Sequence, residues 1–118
     1  MSERDVATFG AAVRAKRLQR DLGLREFAAK VGMSPTYLSK VERGEFNPPA
    51  EDKIVAIARA LGEDTDELLA LAGRVASDLD QIIRTSPREM AALVRVAEGL
   101  SPANIRRLTE HATHLRRR

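Results

Sequence analysis

Residues 24–43, LREFAAKVGMSPTYLSKVER, decide the fold. Apolar or small residues stand at Leu24, Phe27, Ala28 and Val31, a stripe with the 3.6-residue period of a helix, and a second stripe resumes at Leu38 and Val41. Each segment therefore has one face to bury. Gly32 stands between them, where the first helix must stop and the chain reverse, because glycine enters a left-handed backbone without steric cost. Ser34 and Pro35 then restart the chain: the serine oxygen can accept from open backbone N–H groups, and proline suits a first turn that needs no amide donor. The stretch reads as two short helices folded over a tight turn, a helix-turn-helix.

The second of these helices explains the arrangement. Its inward residues are Leu38 and Val41, while Thr36, Tyr37, Ser39, Lys40 and Arg43 point elsewhere, short and hydrogen-bonding near the start and cationic toward the end. Such a face suits base edges and phosphates. The competing reading is an ordinary αα-hairpin whose polar face meets only water.

At 118 residues the chain has room for one compact domain plus an appendage. Its 43% apolar and 31% charged composition is that of a globular protein, and with 3% aromatic residues the interior must be filled by Leu, Val, Ile and Ala. There is no Cys, which excludes a disulfide framework and a thiolate metal site and fits a reducing cytoplasm. No apolar run reaches the roughly 18 residues of a membrane span, and the start of the chain lacks the pattern of a signal peptide.

The net charge of +3 conceals an uneven distribution. Between Arg4 and Arg43 the cations Arg4, Arg14, Lys16, Arg17, Arg20, Arg25, Lys30, Lys40 and Arg43 face only Asp5, Asp21, Glu26 and Glu42. From Glu45 to Gly73 the balance reverses, with Lys53 and Arg59 against Glu45, Glu51, Asp52, Glu63, Asp64, Asp66 and Glu67. A polyanion would approach the first stretch and be repelled by the second.

Outward from the central stretch, residues 1–5 read as frayed and a helix is expected from about Val6 to Asp21, with Thr8 as a cap and Phe9, Val13, Arg17 and Leu18 along its inner face. A guanidinium on that stripe needs a partner. The candidate is Glu42, one position after Val41; the alternative leaves both at the rim of the core, facing water. After Arg43, the run GEFNPP cannot continue a helix and reads as a loop. Residues 50–61 place Ile54, Ile57, Ala58 and Leu61 on one face, with Glu51 and Asp52 in the first turn and Gly62 at the end. A fifth helix is expected from about Asp64 to Ala72, capped by Thr65 or Asp64 and burying Leu68, Leu69 and Leu71. These five make one all-α domain over residues 1–73.

Residues 74–118 carry three more apolar stripes, Val75, Leu79, Ile82 and Ile83, then Met90, Leu93, Val94 and Ala97, then Ile105, Leu108, Ala112 and Leu115. Two of these segments begin with the Ser-Pro pair already used at Ser34, at Ser86-Pro87 and Ser101-Pro102. Such helices need an apolar partner, on the first domain, on each other, or on a second chain. Dimerisation through Leu79, Ile82, Ile83, Met90, Leu93, Val94, Ile105, Leu108 and Leu115 is the expectation, and the tail's surplus of arginine permits added phosphate contact through Arg116 to Arg118.

With these residues in place the chain resembles the phage-repressor and Cro-like, or Xre-type, helix-turn-helix transcriptional regulators. The likeness runs from about Phe9 to Gly73 and centres on VGMSPTYLSKVERGE, which fixes turn glycine, cap, apolar positions and the trailing Glu-Arg-Gly together. It implies a five-helix domain of the lambda-repressor type that lays its second motif helix in the major groove of double-stranded DNA. By position, Pro35, Thr36 and Lys40 would face bases with Tyr37 and Ser39 beside them. Arg43 and Asn47 would meet phosphates, Arg25 and Ser34 would complete the DNA-facing set, and Arg17 would pair with Glu42. The chain departs from the pattern at Leu24, where members commonly carry Gln, and at Pro35, where a polar residue is frequent, so Thr36 and Lys40 carry more of the base contact.

The expected function is a homodimeric, sequence-specific regulator, most simply a repressor on a dyad-symmetric operator, with no cofactor. An antitoxin-like or adaptor protein whose C-terminal helices bind another protein is the alternative. An enzymatic reading has only Glu110, His111 and His114 in its favour, and two imidazoles near a basic chain end lack a third ligand and its supporting shell.

Overall fold

The computed structural model describes residues 3–117, with side chains from Thr8 onward. Among them are eight α-helices and no strand: α1 (Glu3–Gln19), α2 (Leu24–Val31), α3 (Pro35–Glu42), α4 (Glu51–Leu61), α5 (Thr65–Leu71), α6 (Ser77–Thr85), α7 (Pro87–Ala97) and α8 (Pro102–Arg116). The chain divides into two compact units, Met1–Ser77 and Asp78–Arg118. Of the residues expected to fray, Met1 and Ser2 lie outside the described residues, as does Arg118 of the basic tail.

In the first unit the stripes of five helices meet. Phe9 and Val13 of α1, Phe27, Ala28 and Val31 of α2, Leu38 and Val41 of α3, Ile54, Ile57, Ala58 and Leu61 of α4, and Leu68, Leu69 and Ala72 at α5 are all buried in one core, while Leu24 and Leu71 are packed half-buried against it. Residues with αL backbone end the helices: Gly32 (φ 68°) after α2 and Gly62 (φ 67°) after α4. At α5 the cap is Asp64, whose carboxylate accepts from the Glu67 N–H at 2.9 Å. Glu63 binds Lys16 at 3.2 Å and Arg20 at 2.9 Å, tying the α4–α5 turn to α1.

Two expectations for α1 are corrected. The helix already runs at Glu3, so residues 3–5 are helical and Thr8 lies inside the helix instead of capping it. Leu18 is 52% exposed. It follows Phe9 by nine residues, about two and a half turns, which puts it on the opposite face. Gly10 takes the inner position. A Cβ there would overlap the Val41 carbonyl oxygen and come within 2.8 Å of the Glu42 oxygen.

The first unit extends past Gly73. The Arg74 guanidinium donates to the carbonyls of Pro49 (2.6 Å) and Pro48 (3.3 Å), and the N–H and Oγ of Ser77 both donate to the Glu51 carboxylate at 2.9 Å. Val75 therefore precedes α6 and does not sit on its stripe.

Of residues 78–117 none is buried. Met90 and Leu108 are half-buried, and Leu79, Ile82, Ile83, Leu93, Val94, Ile105 and Leu115 are exposed. Ser101 caps α8 by accepting from the Asn104 N–H at 3.1 Å. Ser86 makes no such bond before α7, because its backbone (φ −139°, ψ 71°) departs from the extended conformation that aims a cap oxygen down the helix.

Candidate nucleic-acid interface

The geometry of the site begins with the turn. Gly32 and Met33 donate their N–H groups to Ala29 and Ala28, closing α2, and the Lys53 ammonium donates to the Gly32 carbonyl at 3.2 Å. Ser34 then accepts from the Tyr37 N–H at 3.1 Å, and Pro35 occupies the first turn of α3.

With Leu38 and Val41 in the core and Glu42 buried beside them, the remaining residues of α3 are left on its outer side. Ser34, Pro35, Thr36, Tyr37 and Arg43 are exposed, and Ser39 and Lys40 are half-buried. Arg25 of α2 is exposed and joins Leu24, Pro35, Thr36, Ser39 and Arg43 around one shallow depression. The candidate residues thus form two groups. The second lies where α3 meets the following loop: the Phe46 ring stands 5.5 Å from that of Tyr37, with the Lys40 ammonium 5.1 Å above it. Asn47 is exposed in the same loop. Arg43 pairs with Glu45 at 2.9 Å, an exposed contact worth at most about 1 kcal/mol and readily exchanged for another anion.

Behind the outer face, α1 holds α3 at two points. Arg17 donates Nε to Glu42 Oε2 at 2.8 Å and Nη2 to Glu42 Oε1 at 3.0 Å, and its Nη1 donates to the Leu22 carbonyl at 2.8 Å. Both residues are buried, at 7% and 6% exposure. The hydrogen bonds that Arg17 donates to Glu42 raise its pKa above the ordinary value, outweighing desolvation. At Gly10 the second contact is backbone on backbone, which fixes the distance between α1 and the end of α3.

Sequence reasoning missed Gly10, Phe46, Lys53 and Arg74. Gly10 did carry a signal, since glycine inside a helix costs about 1 kcal/mol against alanine and so marks a close approach. Phe46 carried one too, as an aromatic in a polar loop of a chain with only 3% aromatic residues. Around Glu110, His111 and His114, no group of three or more metal-ligating side chains is placed to hold an ion among the described residues. No helix among them is long and apolar enough to cross a membrane.

A capped αL-glycine turn, a buried inner stripe and a polar outer face on the second helix define a helix-turn-helix protein. A family model described as helix-turn-helix matches residues 13–68. A solved structure of the clp gene regulator ClgR from C. glutamicum shares 32% identity, covering 58% of this chain and 88% of that one, with a TM-score of 0.51. A second ClgR structure, from Corynebacterium glutamicum, covers 80% of this chain and 94% of that one at 24% identity and a TM-score of 0.52. A chain of the SinR protein/SinI protein complex has the same fold at 19% identity and a TM-score of 0.51, with 93% of this chain and 99% of that one covered. Among curated proteins none matches. The chain belongs to the Xre-type, phage-repressor-like helix-turn-helix family of DNA-binding transcriptional regulators, and it is not an enzyme.

Proposed function

We propose that the protein is a dimeric, sequence-specific repressor of the cytoplasm that lays α3 in the major groove of a dyad-symmetric operator and blocks access to a promoter. The observation that carries this reading is the outer face of α3, where Thr36, Tyr37, Ser39 and Lys40, followed by Arg43 at the C-cap, lie on a helix held from behind by Arg17–Glu42 and Gly10. Thr36 and Lys40 are the base readers, and Arg43, Arg25 and Asn47 meet phosphates, with Ser34 at the rim. One reading helix offers few base contacts, so specificity comes from two units whose half-sites lie about one helical turn apart. The many large apolar side chains left exposed on α6–α8 support pairing there, because a cover over them would remove apolar surface from water.

Selection of binding sites from random DNA tests the reading, with a single dyad motif as the expected result and the absence of any enriched motif as its refutation. On the selected duplex, Arg43→Ala should weaken all sequences alike and flatten the salt dependence, while Lys40→Ala should relax preference at one base position. Equal losses on every sequence for both variants would reassign the two roles.

A second reading uses the same α6–α8 residues to bind a different protein, with DNA binding secondary. It is supported by the fold shared with a chain solved in the SinR protein/SinI protein complex. A stoichiometric partner that dissociates the homodimer would favour it.

A further inference from the structure

We infer that Phe46 is a specificity-determining residue that reads the 5-methyl group of a thymine beside the base contacted by Lys40. The inference rests on the proposed docking of α3 and adds to it a residue outside that helix.

Phe46 is 40% exposed, so the core does not need its ring. The loop that carries it is nevertheless held on both sides. Before it, Gly44 takes a left-handed backbone (φ 75°), and the Glu45 N–H donates back to the Lys40 carbonyl at 2.9 Å. After it, Pro48 and Pro49 are buried and their carbonyls accept from Arg74. An aromatic ring is thus presented to the outside from a short, anchored loop.

Its neighbours are Tyr37 and Lys40, one turn apart on α3. The Lys40 ammonium rests over the negative face of the Phe46 ring, which restricts where that charge can go. A cation suits the N7 and O6 acceptors of guanine, and an apolar group suits the thymine methyl, the two features that distinguish those bases in the major groove. Ring and ammonium side by side therefore fit a step that pairs a guanine with a neighbouring thymine. Pro35 and Thr36 lie around the separate depression with Arg25 and Arg43 and take no part in this cluster.

The test uses the full-length protein and the duplex obtained by site selection. Each dT is replaced in turn by dU, which removes the methyl and nothing else. The expected result is a loss of about fourfold at one position per half-site, the change that follows from burying one methyl group. With Phe46→Ala that difference should vanish and the same thymine should no longer be enriched on reselection, whereas Phe46→Leu, still apolar, should keep most of it. Because the side chain is exposed, both variants should melt as the parent does. A flat dU scan, or a Phe46→Ala variant that weakens all duplexes equally while retaining the thymine preference, overturns the inference and leaves the docking of α3 standing. Absence of any selected motif for the parent protein overturns both.

Discussion

The two units use the same local devices and bury their apolar residues to opposite degrees. Each starts a helix with a capping serine followed by proline, Ser34 before α3 and Ser101 before α8, and each contains glycines with left-handed backbone, Gly32 and Gly62 in one and Gly99 in the other. Yet Phe27, Leu38 and Ile54 are wholly buried, whereas Leu93 is 47% and Val94 is 59% exposed. Caps and periodicity are enough to specify where helices run. A core needs stripes that face one another, and most helical stability in water comes from that packing.

The largest expected effect comes from separating the units. A fragment ending at Ser77, four residues beyond Gly73 because Arg74 and Ser77 are bonded within the first unit, should remain folded, sediment as a monomer and lose roughly a thousandfold in specific DNA affinity. Leu93→Asp or Leu108→Asp in the full chain should act in the same direction, since an unpaired carboxylate opposes an apolar interface. A fragment that still dimerises would move the interface to α1–α5 and undo the contrast.

Next is the contrast between ion pairs. The Arg17 and Glu42 side chains are 9% and 3% exposed, while those of Arg84 and Asp80 in α6 are 76% and 58% exposed. Denaturant melts should show Glu42→Ala costing about 3 kcal/mol, because it strands a buried cation. Asp80→Ala should cost less than about 0.5 kcal/mol. A loss below ~1 kcal/mol for Glu42→Ala would mean that water reaches the pair.

Gly10→Ala tests backbone contact against helix propensity. Propensity alone would make alanine stabilising by about 1 kcal/mol. Overlap with the Val41 carbonyl should reverse the sign and cost about 2 kcal/mol, measured by the same melts, and weaken DNA binding through displacement of α3.

The smallest effect depends on pH. Hydrogen bonding from Lys16, with help from Arg20, lowers the Glu63 pKa. Its ionised form is therefore favoured by folding: the stabilisation is present above the ordinary carboxylate range and disappears as pH falls through the lowered pKa. Glu63→Gln should consequently be slightly less stable than the parent at neutral pH and equal to it in acid. A difference that persists in acid would point to packing and not charge.

The helices around the turn were legible because residues within a few positions decide them: Gly32 reverses, Ser34 caps, and two apolar residues fix the inner face of α3. Once Leu38 and Val41 face inward, the outward set follows by subtraction. Arg17 could be matched to Glu42 because a charge on an apolar stripe demands a partner. Leu18 and Thr8 were misplaced for a shared reason: the phase and start of α1 are set upstream, where the pattern is weak. Phe46 sits in a loop, which has no period to place its ring. The roles of Gly10, Lys53 and Arg74 depend on atoms that arrive from α3, from the turn and from the proline loop, and no local rule anticipates such meetings.

The Arg74 bonds carry one further implication. They join positions 25 and 26 residues apart and so close a non-covalent ring that contains α4 and α5. Pro48 and Pro49 cannot move away from Arg74 while that ring is intact. Amide hydrogens of α4 and α5 should therefore exchange with solvent as one cooperative group.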